Sequence, residues 1–414
     1  MTIPKYIQCP TCDCCFIIKL QMDVTIKNGW HLSFVCPDCG DMIEMSIDSS
    51  LQLPYEIDPK DANNGYVLGY NPLLPNSSIN YFFRFEEPHM VMASLSVFMA
   101  LQVHEVENHM AVVGMIMNNV LNLSNIFSQL LPMLQRNNIP AFSKKLATLL
   151  GHKKYEEIDN PIYAYEDLIF ATYRNFASKP YSDVVFPIMS AYQRGLKLAN
   201  HTDILSIKNK MNNLGIKIGK WKRDKAYLTI SHYVEQIDMF FQGMYYFNNG
   251  KFEVPHFEPL YTTTISVDNA LALYSEAFEC YSSILPFMIA VTNFISYGSI
   301  NDFGSSDSKY NSIDAFCALT AGHQIEVIVK NNHPSNLWLL SALSNDLRNG
   351  FSHKSYKYDT VTQTISIYDK DDDSKIIHTE LLMDVCHRTH ILVLHIMEAI
   401  RMGNIFNKIV QLML

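Results

Sequence analysis

An excess of basic residues is missing from this sequence. Lys and Arg number 32 against 41 Asp and Glu, a formal net charge of −9. That excludes a protein that coats nucleic acid or anionic membrane through its global field, so any RNA contact has to be local. Charge of either sign is scarce: 18% of the 414 residues are charged and 48% are hydrophobic, which excludes a disordered chain and leaves ample material for a buried core. At roughly 150 residues per domain, the length predicts two to three domains. No apolar stretch follows a basic start in MTIPKYIQCPTC, so no secretory signal is expected and the cytoplasm is the expected location. Two long uncharged runs, Met110 to Gln135 and Cys280 to Asn301, carry polar residues such as Asn118, Asn122, Pro286 and Asn293. Lipid-facing helices hardly bear that load, so both are expected to be buried helices and no membrane is expected as a partner.

Evenly spread cysteine is absent as well. Six of the nine fall within the first 39 residues, and Cys280, Cys317 and Cys386 stand singly. That is the distribution of a metal site in a reducing compartment rather than of a disulfide framework. Cys9-Pro-Thr-Cys12 and Cys36-Pro-Asp-Cys39-Gly40 flank a stretch with β-prone segments at Phe16 to Leu20 and His31 to Val35. Two such knuckles complete the tetrahedron of thiolates that Zn²⁺ prefers. Residues 1–50 therefore resemble a zinc ribbon, with Cys9, Cys12, Cys36 and Cys39 as expected ligands of one structural Zn²⁺. The first knuckle departs from that family, because CPTCDCC lacks the usual Gly and offers Cys14 and Cys15 as competing thiolates.

Residues 51–86, rich in Pro, Asn, Gly and Tyr, read as a linker or irregular segment. Beyond them the fold class is mainly α. A helical middle domain is expected over 87–251, with helices near Met90 to Leu121, 140–150, 161–177, 182–199, 202–214 and 224–247, and with no repeat or low-complexity stretch. A four-helix bundle is expected over 265–414, with helices near 267–297, 312–331, 335–352 and 379–402 and N-caps at Asp268, Ser312 and Ser335. The alternating stretch Tyr356 to His378, with an acidic tip at Asp369 to Asp373, predicts a β-hairpin inserted between the last two helices.

The third helix of that bundle ends in Asn345-Asp346-Leu347-Arg348-Asn349-Gly350-Phe351-Ser352-His353. Leu340, Leu343, Leu347 and Phe351 recur at core-facing spacing, leaving Asn345, Arg348, Asn349, Ser352 and His353 on the other side. Arg348 is rotated from Asn349 and His353, by roughly 140° from the latter, and must reach across; Gly350 is expected to ease this by loosening the last turn. An imidazole exchanges a proton near neutral pH and a guanidinium stabilises a phosphorane in fork geometry. RNA supplies its own nucleophile, the 2′-hydroxyl, so such a site needs no metal. The run Arg348-Asn349-Gly350-Phe351-Ser352-His353 resembles the signature of the HEPN superfamily (higher eukaryote and prokaryote nucleotide-binding): an Arg, a polar residue, and a His after four to six intervening positions, at the end of the third helix of a terminal bundle.

What the resemblance implies is a homodimeric, metal-independent endoribonuclease with Arg348, Asn349 and His353 as catalytic residues. It further implies a toxin or antiphage role, with a phage or host factor as regulator. Loose spacing also picks out Arg84 to His89, Arg194 to His201 and Arg388 to His395, but only Arg348 to His353 combines the polar second residue, the helix end and the bundle. The alternative is a non-catalytic sensor that binds nucleic acid, nucleotide or protein through ribbon and bundle. Lys217, Lys220, Lys222, Arg223 and Lys225 surround Trp221 in a basic loop with an aromatic, in which Lys220, Trp221, Lys222 and Arg223 are the candidate RNA-binding residues. Cys386, His387, His390 and His395 lack the carboxylate or knuckle that would complete a second metal site, so packing and polar-face roles are expected of them, with a place for His390 in the cleft beside His353 as the alternative.

Overall fold

The computed structural model describes residues 2–21, 30–36, 38–47, 52–58, 61, 65–70, 82–85, 126–150, 164–166, 169, 179–199, 201–240, 265–304, 312–331, 339–359 and 362–413. Among them the chain is mainly helical, with a cysteine cluster near its N-terminus. The expected helix from Met90 to Leu121, most of 161–177, the end of 224–247 and the cap at Ser335 lie outside the described residues. Contacts divide the chain into two compact units.

The first unit takes Met1–Asn118, Gln236–Ala272 and Asn349–His387. Strands β1 (Thr2–Gln8) and β2 (Cys15–Gln21) pair antiparallel, from Thr2 opposite Gln21 to Gln8 opposite Cys15. Strands β3 (Trp30–Val35) and β4 (Met42–Ile47) form a second antiparallel pair. The segment expected as linker or irregular is instead part of this architecture. Strand β5 (Gly65–Tyr70) runs parallel to β2 and β6 (Phe82–Phe85) antiparallel to β5, giving the order β1-β2-β5-β6. On the free edge of β1, Gln8 N–H donates to the Tyr55 carbonyl and Ile57 N–H to that of Tyr6. Ladder hydrogen bonds from distant strands thus override the turn-forming composition.

The expected hairpin has a third strand. β7 (Tyr356–Asp359), β8 (Thr364–Asp369) and β9 (Asp372–Leu381) form an antiparallel sheet in that order. Ile365 and Ile367 on β8 are buried, as alternation predicts.

The second unit takes Asn119–Glu235, Leu273–Arg348 and Arg388–Leu414, so the contacts do not separate 87–251 from 265–414. It contains helical residues 126–135, α1 (Ile139–Leu150), α2 (Lys179–Leu198), α3 (His201–Asn213) and α4 (Lys220–Glu235). With them go most of α5 (Val267–Tyr297) and α9 (Leu382–Met413) and all of α6 (Ile313–Cys317) and α7 (Ala321–Asn331). The physical reason is a shared core: Thr229 on α4 donates to Glu276 on α5 at 2.9 Å, and Tyr233 on α4 meets His390 on α9 at 2.6 Å.

Helix α5 is long and apolar enough to cross a membrane by length and composition, and 72% of its apolar 18-residue stretch is buried inside the protein. Its cap is Ser266 rather than Asp268: the N–H of Asn269 reaches the Ser266 hydroxyl, whereas Asp268 accepts from Tyr356 at 2.7 Å. Ser312 caps α6 as expected, accepting from Ala315 N–H. The helix expected over 312–331 breaks at Ala318 to Thr320, because Thr320 caps a new start through His323 and Gln324.

Candidate functional site

The four expected ligands converge, and the two knuckles that carry them are built alike. At the turn from β1 to β2, Cys9 N–H donates to the Cys14 carbonyl and Asp13 N–H to that of Cys9. At the turn from β3 to β4, Cys36 N–H donates to Asp41 and Gly40 N–H to Cys36. Gly40 has φ +73° and Asp13 φ +60°. Asp13 therefore occupies the left-handed position that Gly40 fills in the other knuckle, a conformation Asp tolerates better than most residues.

The sulfurs of Cys9, Cys12, Cys36 and Cys39 all lie within 4.8 Å of one another, with Cys9 and Cys39 at 3.8 Å and Cys12 and Cys36 at 3.5 Å. Four thiolates about 2.3 Å from one tetrahedral ion stand about 3.8 Å apart, so the cluster has the dimensions to hold a metal ion. Cys14 and Cys15 do not join it. The Cys14 sulfur points to the Cys15 carbonyl, and burial together with Asp38 pushes its thiol up to about 12. Cys15 points to the Asp13 carbonyl at 3.8 Å.

Arg348, Asn349 and His353 lie on one short helix, α8 (Asn345–His353). The longer helix expected over 335–352 is interrupted at Ser341 to Ser344, where the Tyr274 hydroxyl accepts from Ser344 N–H at 2.7 Å and lies within reach of the Ala342 and Ser344 carbonyls. Ser344 then caps α8 by accepting from Leu347 N–H. At the other end Lys354 takes φ +54° and Ser355 N–H closes onto the Gly350 carbonyl at 2.9 Å, a left-handed C-terminal cap. Leu347 and Gly350 are buried, Arg348 and Asn349 are half-buried, and Ser352 and His353 are exposed.

The Arg348 guanidinium is forked onto Glu279 of α5: Nε donates to Oε1 at 2.6 Å and Nη2 to the same oxygen. The His353 side chain is exposed at the last turn of α8. Gly350 does not loosen the helix. A Cβ there would meet the Ile367 side chain at 2.5 Å, so glycine permits close packing of α8 against β8.

The basic element is a helix start rather than a loop, and its four candidates diverge. Lys220 and Trp221 are exposed, Trp221 by 69%. Lys222 folds back to the Gly215 carbonyl at 3.0 Å, and burial lowers its pKa. Arg223 approaches Glu166 at 3.8 Å. Burial raises the Glu166 carboxyl to about 7 against the opposing pull of Arg223. Lys225, the last basic residue of the element, has its ammonium 5.8 Å from the Trp221 ring centre and donates to the Glu279 carbonyl at 3.2 Å.

His390 does not line a cleft. It is buried, with Nδ1 2.6 Å from the Tyr233 hydroxyl, and His395 is buried beside Ser341 and the Tyr281 ring. No protein-family model, curated protein or solved structure matches this chain.

Proposed function

We propose that the chain is a metal-independent endoribonuclease of the HEPN type, with a structural zinc in its N-terminal ribbon. One observation carries this reading: α8 is fixed at both ends by caps and on one side by Leu347 and Gly350, and it leaves His353 exposed five residues after Arg348. In the reaction the ribose 2′-oxygen attacks phosphorus and the bond to the 5′-oxygen breaks, leaving a 2′,3′-cyclic phosphate and a 5′-hydroxyl. His353 exchanges the proton of one of these oxygens and Arg348 stabilises the charge on the phosphorane. One Arg–His pair offers a single proton-transfer group, so a second protomer supplies the other and the enzyme acts as a homodimer. A cytoplasmic location and a toxin or antiphage role, under a phage or host regulator, belong to the same proposal. The zinc assignment rests on an all-thiolate donor set, which suits Zn²⁺ and leaves no open coordination position.

The fork between Arg348 and Glu279 favours a second reading, in which the arginine is structural and the protein binds a partner without cleaving it. Expression of wild type beside His353→Ala separates the two. The nuclease reading expects arrested growth and fragmented cellular RNA in wild type only; equal growth and intact RNA in both strains supports the binding protein.

A further inference from the structure

Along α4, Trp221, Lys225, Leu228 and His232 recur at intervals of four, three and four residues, which places them in one stripe. All four are exposed or half-buried, whereas Ala226, Tyr227, Thr229, Ile230 and Tyr233 are buried. The stripe follows α5: Lys225 donates to the Glu279 carbonyl, and His232 Nδ1 lies 3.0 Å from Glu276, three residues earlier on α5. Glu279 in turn holds Arg348 through its carboxylate. The ammonium beside an exposed indole and the guanidinium of the proposed catalytic residue thus meet at one residue, Lys225 on the Glu279 backbone carbonyl and Arg348 on its carboxylate. Two of the acidic groups beside them are already engaged, Glu279 by Arg348 and Glu276 by Thr229 and His232, while Asp224 next to Lys225 is exposed.

We infer that Trp221 and Lys225 form a subsite for single-stranded RNA that leads to Arg348, with a base stacked on the indole and a phosphate on the ammonium. The inference rests on the proposal that Arg348 contacts RNA. Stacking requires an unpaired base, because base faces are hidden within a duplex, and it tolerates any base because each has a π-face. A protein partner would call for apolar surface around the indole, yet its helical neighbours Lys220, Asp224 and Lys225 are charged. Lys222 and Arg223, turned to Gly215 and Glu166, take no part.

The test uses full-length His353→Ala protein and a labelled single-stranded oligoribonucleotide, with binding read by fluorescence anisotropy. Trp221→Ala in that background should raise Kd by roughly 5- to 100-fold, Trp221→Phe should recover most of the loss, and Lys225→Gln should weaken binding and flatten its salt dependence. Duplex RNA of the same sequence should not sense Trp221. A Kd for Trp221→Ala within twofold of its parent overturns the subsite and assigns the indole to another partner, while leaving the nuclease reading intact if wild type still cleaves. Trp221-dependent binding without cleavage by wild type upholds the subsite and overturns the nuclease. No binding by the parent protein overturns the subsite.

Discussion

Arg348 and Glu279 share one carboxylate oxygen: both Nε and Nη2 of the arginine reach Oε1. The side chains are 34% and 44% exposed, so the pair adds no more than about 1 kcal/mol to stability, and its main effect is on what the guanidinium meets next. A phosphate has to compete with the carboxylate. Glu279→Gln removes that competing charge while keeping an oxygen acceptor. In the His353→Ala background it should tighten RNA binding several-fold at low salt, with the difference shrinking as salt rises. Weaker binding would show instead that the carboxylate aims the guanidinium.

Gly350 lies where β8 presses on α8, and an added Cβ would meet Ile367 at 2.5 and 2.7 Å. Gly350→Ala should destabilise the protein by about 1–3 kcal/mol, although alanine favours helix. Ile367→Val added to it should recover part of the loss. Urea unfolding of the single and double variants measures both.

Metal content tests the ligand set. Purified wild type should carry one zinc, and Cys14→Ala and Cys15→Ala should keep it because those sulfurs face the carbonyls of Cys15 and Asp13. Cys36→Ser should lose it and loosen the small β-sheets around the knuckles, where metal binding supplies folding energy. Full zinc occupancy in Cys36→Ser protein would contradict the assignment.

Glu166 gives stability a pH dependence of known sign. Burial raises its carboxyl from 4.5 to about 7 in the fold, so the folded state holds its proton where the unfolded chain has released it. The stabilisation is complete below about 4.5 and lost as pH rises through 7, on the order of 3 kcal/mol in all. Comparing wild type with Glu166→Gln across pH 4 to 8 isolates it. The slope between 4.5 and 7 should be shallower in the variant.

The four-cysteine cluster was legible because its signal is local: two C-x2-C turns place two sulfurs each, whatever surrounds them. Asp13 shows how far that goes, since the knuckle lacking glycine folds like its mate with an aspartate at φ +60°. The span of α5 was legible from apolar length. Strands β5 and β6 were not, because Gly65 and Gly69 read as loop while their pairing depends on β2, over 40 residues away. The break ahead of α8 depends on Tyr274 reaching Ser344, a contact 70 residues apart. For the same reason the sequence placed Lys222 and Arg223 in an RNA-binding element: helical spacing gives a direction, but only packing tells that Gly215 and Glu166 wait there.

Metal-independent cleavage is tested by mapping the ends of RNA cut by wild type in EDTA, with zinc content checked so that unfolding around the cysteine cluster is not mistaken for lost catalysis. The products should carry a 5′-hydroxyl and a 2′,3′-cyclic or 3′-phosphate, activity should fall roughly 10²- to 10⁴-fold in His353→Ala, and no cut should occur where a 2′-deoxynucleotide replaces the scissile one. A 5′-phosphate on the products, or cleavage restored only by added Mg²⁺, would contradict this mechanism.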